Sequence, residues 1–178
     1  MEQLESKAKV SVRSGGLEGV SVADTALSDV DGERGRLVVA GSDVETLARA
    51  ATFEDVVGLL LRAAGAVACD DARTGLARGR LVGFEALGRV GDALAAEDGM
   101  ASLRASLAHL ATEDALTLIG ATATLVAAWS RTREGKAPIA PDPSVSHARD
   151  FVQMLGRDAD DARARAVDSY LVTVAEHG

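Results

Sequence analysis

Three histidines, His109, His147 and His177, are the first residues to test for chemistry in this chain. None has a second His or a Cys at metal-ligand spacing, so no zinc site is expected. Ser146-His147 with Asp150 has the residue types of a nucleophilic relay, but neighbours on one helix cannot line up nucleophile, base and orienter. His109 follows Leu103 and Leu107 and reads as a surface residue beside a core face, while His177 on its own reads as a terminal residue. Asp29-x-Asp31-Gly32-Glu33 offers oxygen donors, yet a calcium loop needs ligands at its first, third and fifth positions, Gly sixth and Glu twelfth. Here Gly comes fourth, and a solvated turn fits better. Glu134-Gly135-Lys136 has the look of a phosphate-loop ending, but no Ser or Thr follows the Lys and Ser130 replaces the first Gly. That stretch reads as a helix C-cap.

The elements that must position these residues are mostly helical. Between Val20 and Ala40, apolar pairs flank an acidic turn over 28–35, and two short strands are expected, with Arg36-Leu37-Val38-Val39 as the second. Ser42-Asp43-Val44-Glu45 reads as a capping box, followed by Val44, Leu47, Ala48 and Ala51 on one helical face. Thr52 caps a second helix, with Phe53, Val56, Val57, Leu60 and Leu61 at helical spacing. Residues 63–98 are rich in Gly, Ala and Arg; a single helix over Leu81–Ala96 is the reading, with each interior glycine costing ~1 kcal/mol relative to Ala. Leu103, Leu107 and Leu110 mark another helix, and Glu113–Arg133 a long one whose middle, Gly120-Ala121-Thr122-Ala123-Thr124, is small enough for a neighbouring helix to approach closely. After the extended corner Pro141-Asp142-Pro143, one helix turns Ala148, Phe151, Val152 and Leu155 inward and stops at Gly156. On the last helix Ala162, Ala166, Val167, Tyr170, Leu171 and Val174 are read as inward, with Asp161 paired to Arg165 outside.

Composition narrows the function. With 178 residues, a hydrophobic share of 47% and a charged share of 26%, the chain reads as one globular domain, with a loose tail over 1–14 and the domain over 15–178. Aromatics make up only 3%, so the core is built from Ala, Val and Leu. A net charge of −8 argues against nucleic acid or an anionic membrane as a partner. Cys69 is the single cysteine, no internal disulfide follows, and with a charged start and no long apolar span a soluble cytoplasmic protein is expected. The long Leu116–Arg133 helix, with Leu118, Leu125 and Trp129 around its small centre, carries more apolar surface than one short domain readily covers, and a homo-oligomer is expected.

Several segments in order give the chain a resemblance. They are Gly16-Leu17-Glu18-Gly19-Val20 with Thr25-Ala26-Leu27-Ser28, then Asp31-Gly32-Glu33 with Gly35-Arg36-Leu37, then Gly41, Leu47-Ala48 and Thr52-Phe53-Glu54. Downstream come Val126-Ala127-Ala128-Trp129, Gly135-Lys136, Pro141-Asp142-Pro143-Ser144-x-Ser146, Phe151-x-x-Met154-Leu155, Asp168-x-Tyr170-Leu171 and Glu176-His177. The set resembles the citrate synthase family over nearly the whole chain. One departure is Asp98-Gly99-Met100, where the family often has His-Pro-Met.

The resemblance implies a helical, citrate synthase-like large-domain portion with a small N-terminal β-hairpin. It also implies a reaction, in which acetyl-CoA, oxaloacetate and water give citrate and CoA. Acetyl-CoA is a substrate, and no cofactor is implied; a near relative uses propionyl-CoA and forms 2-methylcitrate. By the same resemblance His177 touches oxaloacetate, and no catalytic residue is expected among these 178, because the family's two catalytic His motifs, its catalytic Asp and most of its substrate arginines lie in a further stretch of similar length. The chain therefore reads as an N-terminal part, either a fragment or a split-enzyme subunit whose second chain supplies the catalytic half. A non-catalytic binding or scaffold protein that keeps the fold is the alternative. The subunits of the family pair partly through helices equivalent to Leu116–Arg133, in line with a dimer.

Overall fold

A computed structural model describes residues 25–66 and 71–176. The expected strand residues Val20 and Val22, the tail over 1–14, Cys69 and His177 lie outside them. Three short strands open the described part: β1 (Ser28–Asp31), β2 (Arg36–Val39) and β3 (Ser42–Asp43), an antiparallel sheet in that order. β1 runs through residues read as turn, because pairing of Ser28 with Val39 and Val30 with Leu37 overrides the turn preference of Ser and Asp. Ala40 and Gly41 both take positive φ, +45° and +81°, and return the chain at once into β3. Ser42 is thereby used in the sheet, and the cap of the first helix falls to Asp43, whose carboxylate accepts from Glu45 N–H and Thr46 N–H.

Seven α-helices follow among the described residues. The first two, α1 (Val44–Ala50) and α2 (Phe53–Ala63), sit where their periodicity places them, and α2 starts with the reciprocal Thr52–Asp55 capping box. The third, α3 (Ala72–Ala86), departs from expectation: it begins nine residues before Leu81, capped by Asp71, and has ended before a short 3-10 helix at Ala93–Ala95. Its glycines are there for fit. A Cβ on Gly79 would stand 2.7 Å from the Thr117 carbonyl oxygen, and one on Gly83 would stand 2.8 Å from the Ala121 Cα.

These contacts are with α5 (Ala115–Arg133), whose Gly120 meets α3 in return, so the small centre of α5 is indeed where another helix comes close. The chain is completed by α4 (Gly99–Leu107), α6 (His147–Met154) and α7 (Asp161–Thr173). No described helix is long and apolar enough to cross a membrane.

The inward face of α7 is corrected by the structure. Ala164, Asp168 and Val172 are its buried residues, whereas Ala162, Ala166, Tyr170 and Val174 are exposed. An apolar-only reading rejects Asp168, but this carboxylate is fully used: one oxygen accepts from Phe53 N–H at 2.9 Å and the other from Arg165 at 3.0 Å. Arg165 thus pairs with Asp168 and also donates to the Ala48, Arg49 and Ala51 carbonyls at the end of α1, while Asp161 pairs with Arg149.

Leu125 and Trp129 also find partners inside the chain. Leu125 is buried, and the Trp129 indole N–H donates to the Ala96 carbonyl at 2.8 Å. The side of α5 left open is instead lined by Ile119, Thr122 and Val126.

Candidate functional site

The densest chemistry among the described residues surrounds Arg80, on the α3 face turned to α5 and α6. This side chain is 1% exposed. Its Nε donates to Asp150 at 2.5 Å, and Nη2 reaches the Val145 and Asp142 carbonyls at 3.3 and 3.5 Å. Asp150 also accepts from Asp142 N–H at 3.0 Å. Arg80 and Asp150 together therefore hold the carbonyl and the N–H of Asp142, in the middle of the Pro141-Asp142-Pro143 corner, where the flanking prolines have no backbone donors to offer. Burial pushes the Asp150 carboxyl up, while the Asp142 N–H and the Arg80 charge hold it down. A buried, always-charged guanidinium requires its counter-charge, and Asp150 supplies it.

His147 completes this cluster from the first turn of α6. Its Nδ1 lies 3.2 Å from Arg80 Nη1. A guanidinium only donates, so Nδ1 must be the acceptor and the ring proton sits on Nε2. Burial, with the Arg80 charge second, lowers the His147 pKa to about 4. The ring tilts against Phe53 at a centroid distance of 5.2 Å, and the backbone N–H donates to Glu54 at 2.8 Å. The second Glu54 carboxylate oxygen is buried with no hydrogen-bond partner.

His147 also borders an apolar cavity of about 320 Å3 among α2, α5, α6 and α7, lined by Phe53, Ile119, Val126, Phe151 and Leu171. A second apolar cavity of about 300 Å3 shares Phe53, Ile119 and Leu171 and extends along α2 to Leu60, Leu61, Val174 and Ala175.

The expected residues end up far apart in role. His109 is exposed just after α4. Asp31 spends its carboxylate on Arg34, closing the turn after β1. Gly135, at φ +69°, and the Lys136–Glu134 pair form the C-terminal end of α5. His177 lies outside the described residues; Glu176 just before it accepts from the Ser28 hydroxyl at 3.1 Å, tying the exit of α7 to β1. No group of three or more metal-ligating side chains forms among the described residues.

The cluster of Arg80, His147 and Asp150 was missed in the sequence, where Arg80 sat in an unreadable Gly/Arg stretch. The signal available was the pairing of a Pro-x-Pro corner with an Asp eight residues after Asp142. A histidine held neutral and an ion pair that also grips two backbone carbonyls can position a loop. They supply neither a free base nor an open binding site.

The family model described as "Citrate synthase, C-terminal domain" matches residues 16–178. The chain is 34% identical over 185 residues to a citrate synthase of Haloferax volcanii, covering 92% of this chain and 48% of that protein. It is 31% identical over 185 residues to one of Acidithiobacillus ferridurans, covering 91% and 48%. The crystal structure of citrate synthase from Thermotoga maritima superposes with a TM-score of 0.72 at 25% identity, covering 92% of this chain and 46% of that one. The chain spans about half the length of the relatives it matches.

Proposed function

The chain belongs to the citrate synthase family, and from that footing we propose that it forms one part of a condensing enzyme that joins acetyl-CoA to oxaloacetate and, with one water hydrolysing the thioester, releases citrate and CoA. The observation that carries this reading is the match along more than nine-tenths of the chain to about half of each relative. The condensation needs a carboxylate to remove a proton from the thioester methyl, a donor to the enolising carbonyl, and a second donor on the ketone. Among the described residues Arg80, Asp150 and His147 are committed to one another and to the corner at Asp142, and Glu54 beside them keeps one buried carboxylate oxygen without a partner. The chain's own contribution is then the helical framework and His177, whose imidazole hydrogen-bonds an oxaloacetate oxygen. The remaining half of the fold, supplied as continuing sequence or as a second chain, brings the catalytic groups. The assembly is a soluble, cytoplasmic homo-oligomer.

The test is thiol release from acetyl-CoA in the presence of oxaloacetate. The 178-residue chain alone gives no more than the uncatalysed rate, and the chain co-expressed with the unmatched half of the Acidithiobacillus ferridurans citrate synthase gives citrate. Activity of the isolated chain well above a His177→Ala control overturns the reading. Propionyl-CoA in place of acetyl-CoA reads the acyl preference in the same assay.

A further inference from the structure

The two apolar cavities are one groove. Phe53, Ile119 and Leu171 line both, so the two hollows adjoin, with α5 on one wall and α2, α6 and α7 on the others. Its lining includes no Asp, Glu, Lys or Arg, and its single ionisable residue is His147. Along α5, Ile119, Thr122 and Val126 repeat at the spacing of one helical face and are only half-buried. Such a continuous apolar surface on an otherwise charged chain marks a place where something packs. Helices form its walls, and a helix fits best between helix ridges.

The relatives indicate what that helix belongs to. The Thermotoga maritima structure matches this chain at a TM-score of 0.72 over 92% of its length, and this chain covers only 46% of it and 48% of the Acidithiobacillus ferridurans protein. The two halves of one globular fold share a core, and the half seen here carries this uncharged groove open on one side. Its far end is bordered by Val174 and Ala175, beside the exit of α7. We propose that the groove receives an apolar helix from the remaining half of the citrate synthase fold, with Ile119, Phe53 and Leu171 at the centre of the contact. This rests on the two-part reading above and adds the surface through which the parts join.

The test co-expresses the 178-residue chain with the tagged, unmatched half of the Acidithiobacillus ferridurans citrate synthase and measures both retention on the tag and thiol release. Wild-type chain is expected to be retained. Ile119→Asp is expected to lose at least tenfold in retained chain, and Met100→Asp, at a residue 62% exposed on α4 and outside the groove, to behave as wild type. Circular dichroism on the isolated variants checks that Ile119→Asp still folds; Val126→Asp is the substitute if it does not. Retention that ignores both groove substitutions overturns the proposal, as does no retention of wild type. Self-association of the isolated chain that groove substitutions abolish, without binding of the other half, also overturns it in favour of a second copy. Groove-dependent retention without thiol release leaves the groove standing and removes the condensing reading. Thiol release indifferent to Ile119→Asp does the reverse.

Discussion

Helix α5 has two unlike sides. Toward α3 it is closed: Gly120 meets Gly79, Thr124 donates to the Arg80 carbonyl at 3.0 Å, and Ala121 and Leu125 are buried. Toward α2, α6 and α7 it is open, with Ile119, Thr122 and Val126 edging the groove. The closed side is fixed by size, since glycines let two backbones approach until no methyl fits between them. The open side has suitable chemistry and no occupant among the described residues. One helix thus carries both a finished interface and an unfilled one, and substitutions on the two sides should differ sharply in their effect on the isolated chain.

The largest effect is expected behind the closed side, at the ion pair anchored on α3. Asp150→Ala leaves Arg80 buried and uncompensated and also strands Asp142 N–H. Breaking such a pair from one side costs about 3–5 kcal/mol, a large part of the ~5–15 kcal/mol that holds a domain folded. The urea midpoint should fall accordingly. Arg78→Ala, which breaks an exposed pair with Asp114, should shift it by no more than ~1 kcal/mol. Equal losses for the two variants would show that Arg80 finds another partner or water.

The next effect is a pH dependence of stability at the point where closed cluster and open groove meet. The folded-state pKa of His147, about 4, lies below the ordinary 6.5, so between these values the unfolded chain binds more protons. Stability from keeping the ring neutral is complete above pH 6.5 and is lost as pH falls through 6.5 towards 4, by roughly 3 kcal/mol over the window. His147→Asn retains an acceptor for Arg80 without a titrating ring. Its stability should be flatter over that range, and the difference between the two curves isolates His147. Parallel curves would contradict the buried neutral ring.

Third comes the contact itself. Gly79→Ala places a methyl against the backbone of α5, and overpacking of this kind costs about 1–3 kcal/mol. Gly88, with nothing within 4 Å of an added Cβ, is the control. Gly88→Ala should be near neutral, and equal losses at Gly79 and Gly88 would remove the argument from close approach.

Part of this was legible in the sequence. The Thr52 cap and the spacing along α2 are local signals, and α2 obeys them. The resemblance led to the family that the comparisons show. What stayed hidden depended on partners distant in sequence. Gly83 looked like a defect because only α5, some forty residues on, gives it a purpose. Asp168 was absent from the expected inward face of α7 because its partner, Phe53 N–H, is 115 positions away. Arg80 and His147 were invisible as a pair for the same reason: a charged residue in sequence carries no mark of burial. The expected oligomer surface was drawn around Leu118, Leu125 and Trp129, of which Leu125 is buried within the chain and Trp129 is half-buried with its indole N–H held by the Ala96 carbonyl.

The smallest effect should come from the open side, and it is the one that most directly separates the two faces. Ile119→Ala removes three carbons from a side chain that is only half-buried. Full burial of such a side chain is worth ~2–5 kcal/mol on truncation, but a residue bordered by solvent loses only the part already in contact, and no closed void remains behind it. A loss under ~1 kcal/mol is therefore expected in the isolated chain, against about 2–5 kcal/mol for Leu125→Ala on the closed side, where the side chain is 2% exposed. Both variants remove three carbons from the same helix, and Ile and Leu differ in helix propensity by only roughly a few tenths of a kcal/mol, so a larger difference reports packing. Chemical denaturation at one pH gives both numbers. An Ile119→Ala loss as large as that of Leu125→Ala would mean that the groove is already filled in solution, by a second copy or by chain outside the described residues. A small loss that grows once the remaining half of the fold is bound would locate the missing contact at Ile119.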